Sequence, residues 1–191
     1  MATLSTCKLA ISIYPPFAYD ANGGGGAAVA TSPATATSLP STVPPPPPTA
    51  TALAFDPAAL TIPALSWRNT RFLGLPLPPG LQIAVTPVRL GGWVDRATGE
   101  AALAFTADFQ FTAFGGLYTP PIIPVETVLS TEAVTGEQLS GRGRRLDGGT
   151  GAARLAGVAR VPVLPDAFLS WFLRLPADCL AEMDARFEFD A

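Results

Sequence analysis

Histidine is absent from all 191 residues, and lysine occurs once, as Lys8 beside eleven arginines. Without histidine there is no His-ligated zinc or haem and no Ser-His-Asp or Cys-His nucleophile. Charge is sparse at 14%, and 12 basic residues against 15 acidic ones leave a net charge of −3 at pH 7. An acidic chain lacks the basic surface that displaces counterions from a phosphate backbone, so no nucleic-acid partner is expected. No apolar run approaches the roughly 18 residues that a spanning helix needs. Two cysteines, Cys7 and Cys179, are too few and too far apart for a disulfide framework and are read as free thiols.

Catalytic motifs are missing as well. There is no Walker loop, no Gly-x-Ser-x-Gly elbow and no CxxC pair, and Ser130 and Ser140 have no base. Asp108, with Glu126 and Glu132 read on one face of a neighbouring strand, could serve acid–base chemistry only at a separation that the sequence does not set. The chain is therefore expected not to be an enzyme. No catalytic residue, metal or cofactor is assigned.

What the chain does have is proline and glycine, 21 and 18 residues respectively. Residues 22–52 hold four consecutive glycines, Gly23 to Gly26, and the five-proline run Pro44 to Pro48 in a Pro/Ala/Ser/Thr background. Such a stretch buries too little apolar surface to offset its conformational entropy, and the proline run favours extended polyproline II. It is read as an inert linker or insertion in preference to a ligand for proline-binding modules. Residues 1–21 form an N-terminal segment with a first strand near 9–14. Residues 53–191 form the domain.

From residue 53 the periodicity is that of β-strands. Over 101–113, Leu103, Phe105, Ala107, Phe109, Phe111 and Ala113 alternate with Ala104, Thr106, Asp108, Gln110 and Thr112, as in a half-buried antiparallel strand. Residues 90–94 precede it, and the intervening 95–100, with Gly99 at a positive-φ position, predict a hairpin. Further strands are expected at 81–86, 125–131, 152–163 and 181–189. Phe168, Leu169, Phe172 and Leu173 recur at helical spacing after Pro165-Asp166, a helix start. The pattern predicts a mainly β fold, an antiparallel barrel or sandwich of six to eight strands with one short C-terminal helix.

Two groups of residues are candidates for a binding site. The first is apolar: Trp93, Phe105, Phe109 and Phe111 on the central hairpin, where rings either pack a dry core or line a cavity. With them go Phe72 and Leu75 in a Pro-punctuated loop, and Trp171 in the helical cluster. Residues 117–124 form another such loop. Apolar loops at a barrel mouth either touch a lipid, a pigment or a protein, or close the end as plugs. The second group is Arg142, Arg144 and Arg145 on a glycine-rich loop, which reads first as a solvated hairpin loop with Arg145 and Asp147 compensating each other, and otherwise as guanidinium forks that suit an anionic head group.

Residues 70–79 (TRFLGLPLPP), 125–130 (VETVLS), 140–147 (SGRGRRLD), 154–159 (RLAGVA), 175–181 (LPADCLA) and the N-terminal 12–21 (SIYPPFAYDA) resemble an uncharacterised family of small plastid-directed β-rich proteins of plants and green algae. The resemblance runs from 55 to 189 and brings no catalytic residues. It implies a plastid (chloroplast) location. Together these readings give an expected function: a non-enzymatic binding protein for an apolar or amphiphilic molecule, lipid or pigment. The alternative is a structural or assembly factor docking on a larger plastid membrane complex. Its partners would then be a lipid or pigment, a membrane surface, or a protein complex.

Overall fold

The computed structural model describes residues 1–31 and 42–189. Among them lie fifteen strands, thirteen in one antiparallel sheet that curls into a half-barrel; strand accounts for 53% and helix for 7%. The expected six to eight strands were too few, because the shortest strands carry no readable alternation.

The frame consists of long strands: β1 (Ala2–Ile11), β9 (Gln82–Val94), β10 (Ala101–Thr112), β11 (Ile123–Ser130), β14 (Ala152–Val161) and β15 (Ala177–Phe187). Shorter pieces complete it: β2 (Phe17–Asp20), β3 (Gly25–Gly26), β4 (Ala28–Thr31), β5 (Thr51–Phe55), β6 (Leu65–Ser66), β7 (Thr70–Phe72) and β8 (Leu75–Pro76). The sheet order is β4-β5-β9-β10-β11-β14-β15-β1-β2-β7-β8. The two arms of the curl are joined by the turn between β6, which pairs with β9, and β7, which pairs with β2. A separate hairpin, β12 (Ala133–Thr135) with β13 (Ser140–Arg142), lies over the outer face of β14 and β15. The single α-helix among the described residues, α1 (Ala167–Leu173), connects β14 to β15.

Several expectations change here. The runs expected at 81–86 and 90–94 merge, from Gln82 on, into one strand, β9, in which an irregularity near Pro87 shifts the register against β10. Proline cannot donate to the ladder, which is why the run looks broken in sequence. β1 starts at Ala2 and stops at Ile11 instead of spanning 9–14. Val163 leaves β14 and is exposed. Of the stretch expected as a linker, 22–31 and 42–52 join the fold through β3, β4, the start of β5 and the buried Val43 and Ala50. Residues 32–41 lie outside the described residues.

The interior of the curl is filled by side chains. Leu103, Leu129, Leu155, Ala185 and Phe187 form one cluster with Leu53, Phe55 and Val94, and Phe105 packs against it. Cys7, Tyr19 and Leu65 form another with Ile83 and Val85, which joins β1 and β2 to β9. At one end Leu169 and Leu173 of α1 pack with Ile123, Val161 and Leu164, and with Phe109 and Phe111. Gly92 lets neighbouring backbones approach: a Cβ there would stand 2.0 Å from the Ala102 carbonyl oxygen.

Candidate functional site

Each long strand runs between the same two ends. At one end β14 and β15 pair through Ala152 and Arg186, and the arginine loop is fastened there by the Arg144–Arg154 bridge. At the other end they pair through Val161 and Ala177, and α1 caps the curl. Ten residues of β14 separate the two ends, roughly 30 Å at about 3.4 Å per residue.

The helix end is assembled from four connections: 12–16 between β1 and β2, 73–81 around β8, 113–122 between β10 and β11, and 162–176 around α1. They are tied together by hydrogen bonds. The Tyr14 hydroxyl donates to the Phe172 carbonyl, and the Tyr118 hydroxyl donates to Asp166 Oδ1 at 2.8 Å. The Gly115 N–H donates to the Gly80 carbonyl at 3.3 Å. Asp166 also caps α1, accepting from the Leu169 N–H at 2.7 Å. Burial, and then the Asp166 carboxylate, push the Tyr118 phenol up to about 12.

This rim gathers most of the exposed bulky apolar side chains among the described residues. Trp171 is 74% exposed and Leu117 is 91% exposed; Ile13, Leu73, Leu75, Phe114, Ile122, Val163, Phe168 and Phe172 are exposed beside them. Phe168 meets Tyr118 edge-on at 5.5 Å and stacks on Phe172 at 6.0 Å, so part of the surface is a rigid aromatic cluster. In all four connections the only charged side chains are Asp166 and Arg174.

The rim backbone is also under strain. Among the described residues, the non-glycine positions with positive φ are Ser12, Leu73, Phe114 and Arg174, and all four fall in these connections. A bulky side chain in the left-handed region costs about 1–2 kcal/mol. At Leu73 and Phe114 that conformation accompanies an apolar side chain held out of the core.

The candidate residues divide accordingly. Leu75 and Trp171 lie on the rim. Phe72 is half-buried at the base of the rim's β7–β8 connection, its ring 4.8 Å from that of Phe17. Phe105, Phe109 and Phe111 point into the curl, packed against the interior clusters. Trp93 does not join them. It pairs with Ala102, so it lies on the opposite, outer face, in a cluster with Val43, Ala50 and Ala104.

Arg142, Arg144 and Arg145 stand at the far end and do not converge on a common point. Arg145 binds Glu100 at 2.7 Å and Glu132 at 2.8 Å, and Arg144 lies 3.7 Å from Asp184. Arg142 is exposed on β13, its backbone N–H donating to Glu182 Oε1. The expected pairing of an apolar contact with an arginine cradle for one ligand is therefore corrected: the two groups are at opposite ends. Glu132 lies beyond the end of β11, on Arg145, and not on a strand face with Glu126. Asp108 and Glu126 occupy outer-face positions near each other across the β10–β11 pair.

Two open grooves, of about 390 and 720 Å³, run along the outer face of β14, β15 and β1. Their charges are largely paired within the protein. Arg154 grips Asp184 through two bonds of 2.9 Å, and Lys8 lies 3.6 Å from Glu182. The Arg154 hydrogen bond holds the Asp184 carboxyl below its ordinary range. Cys7 and Cys179 are free, and burial pushes both thiols up to about 12. Among the described residues no helix is long and apolar enough to cross a membrane.

A curled antiparallel sheet with a filled interior and one strained, nearly uncharged apolar rim is what the fold and the site define. In comparison with known proteins, no family model, no curated protein and no solved structure matches the chain.

Proposed function

We propose that this protein attaches to an amphiphilic surface, the lipid of a plastid membrane, through the helix-end rim, and that it does so without catalysing a reaction. The observation that carries this reading is the gathering of exposed Trp, Phe, Leu, Ile and Val side chains, with the half-buried Tyr14 and Tyr118 beside them, on four hydrogen-bonded connections that hold only two charges. Tyrosine and tryptophan suit the boundary between head groups and acyl chains because their rings are apolar with one polar tip. Asp166 Oδ1 already accepts from Tyr118 and from the helix N-terminus, so the carboxylate reaches the interface partnered within the protein. Burying four such side chains stabilises the attached state by roughly 1–2 kcal/mol each. That is about the strength of a single acyl chain, so attachment is reversible.

The filled interior turns the reading away from a ligand enclosed in the curl and toward a surface met from outside. It also favours a second reading, in which the same rim docks on the apolar flank of a membrane complex. Flotation with vesicles of pure zwitterionic lipid separates the two: lipid attachment needs no protein partner, whereas docking on a complex gives no flotation. The plastid setting rests on the resemblance alone, and a fluorescent fusion of the full-length protein in leaf or algal cells tests it.

A further inference from the structure

The chain between β4 and β5 ends in a strap, residues 42–50, that lies on the outer face of β9 and β10. Val43 and Ala50 are buried, and with Ala102 and Ala104 they enclose the Trp93 ring. The Trp93 indole N–H donates to the Pro44 carbonyl at 2.8 Å. The Thr49 hydroxyl donates to Asp95 Oδ2 at 2.7 Å, which latches the far end of the strap.

This contact has its own chemistry. Prolines donate no backbone N–H, and a residue that precedes a proline is held to the extended region, so residues 43–47 cannot join the sheet as a paired strand. Their carbonyl oxygens remain as acceptors on a stiff, pre-ordered rod. An aromatic ring with one indole donor, set among small alanines, accepts such a rod: the ring packs the pyrrolidines and the N–H takes one carbonyl.

We propose that the outer face at Trp93 is a binding site for a proline-rich segment, filled in cis by residues 42–50, and that a proline-rich segment of a partner protein takes it when the strap is displaced. A second copy of this chain fits less well as the source. Its strap runs straight into its own β5 at Thr51, so it could reach the site only by bringing a whole second sheet against this one. A tethered strap acts at an effective concentration in the millimolar range and hides the site from weak ligands.

The test uses the full chain with the strap residues 43–48 replaced by glycine and serine, and as probe a synthetic peptide of residues 43–50. Binding is read from the fluorescence anisotropy of a dye on the peptide, which works in every variant, and the indole N–H resonance of Trp93 locates the contact in the chains that keep the tryptophan. The site predicts that the peptide binds the replaced chain about tenfold or more tighter than the unaltered one, the difference being relief of the cis competitor. It also predicts that binding is lost when Trp93→Phe is added. Should the replaced chain not fold, Thr49→Ala loosens the strap by removing its latch while Asp95 keeps the Ala97 N–H at 2.8 Å, and the peptide should then bind severalfold tighter than it does the unaltered chain. A folded, opened chain that leaves the peptide unbound, or binds it equally after Trp93→Phe, overturns the proposal. Self-association of the opened Thr49→Ala chain in sedimentation overturns the assignment to a partner and gives the site to a second copy.

Discussion

Trp171 and Arg145 stand at opposite ends of the same strand pair, one on the helix that follows Val161, the other on the loop that precedes Ala152. Roughly 30 Å of sheet lies between them. An amphiphile of ordinary size cannot place its tail on one and its head group on the other. The rim has to work without the arginine loop, and this separation sets the first expectation.

Replacing Arg142, Arg144 and Arg145 together with glutamine leaves vesicle binding and its salt dependence unchanged. The three side chains lie far from the rim, and Arg144 and Arg145 are engaged by Asp184, Glu100 and Glu132. Flotation at low and high salt checks this, since salt at about 0.1 M largely screens exposed charges more than about 10 Å apart. A steep fall in binding for the triple variant would return the anionic head group to that loop.

Trp171 and Leu169 sit two residues apart on α1 and should separate binding from stability. Leu169 is fully buried, and its replacement by alanine should cost about 2–5 kcal/mol. Trp171→Ala removes a side chain in contact mainly with solvent and Phe168, so unfolding should shift by no more than about 0.5 kcal/mol, while vesicle binding weakens severalfold. Urea unfolding and flotation on the same two samples decide the matter.

Phe114→Gly carries the strain argument. Glycine accepts the positive φ of 53° without steric cost, so the variant should be as stable as the parent or up to about 1 kcal/mol more stable. It should nonetheless bind vesicles less well. A variant both less stable and equally competent would make Phe114 a packing residue.

Acid should loosen the molecule in a defined window. Asp184 is held below its ordinary value of 3.8 by Arg154, and Asp95 by the Thr49 hydroxyl. At Asp178 burial works in the opposite direction, but the Gln138 and Leu139 N–H groups and Arg160 outweigh it and the carboxyl is again lowered. A carboxylate with a depressed folded value contributes stability that is present above the unfolded value and is lost as pH falls through the folded one. Stability should hold above about pH 4 and decline below 3.8. Thermal unfolding across pH 2–6 measures it, and a midpoint flat to pH 2 would contradict the pairings.

The strand pattern of β10 was legible because alternate side chains face a filled interior, and the charged outer row of β15 made that strand legible for the same reason. The hairpin turn was legible from Gly99, which does take positive φ, at 76°. The short strands β2 and β5 to β8 were not, since two to five residues carry too little alternation to read. Trp93 was assigned to the wrong face because Gly91 and Gly92 beside it have no side chains to set the phase. Its cover, residues 42–50, looked by composition like a linker. The rim was half-legible: the loops at 72–79 and 117–124 announced themselves as apolar, but only the strand register shows that 12–16 and α1 meet them at one end.

The most direct measurement is depth-dependent quenching of tryptophan emission by vesicles whose zwitterionic lipids are brominated along the acyl chain. Trp171 should be quenched, and its share of the quenching should vanish in Trp171→Phe, while Trp93, under its strap, stays unaffected. Vesicles that leave Trp171 unquenched, with the protein folded and lipid in excess, would contradict attachment by the rim.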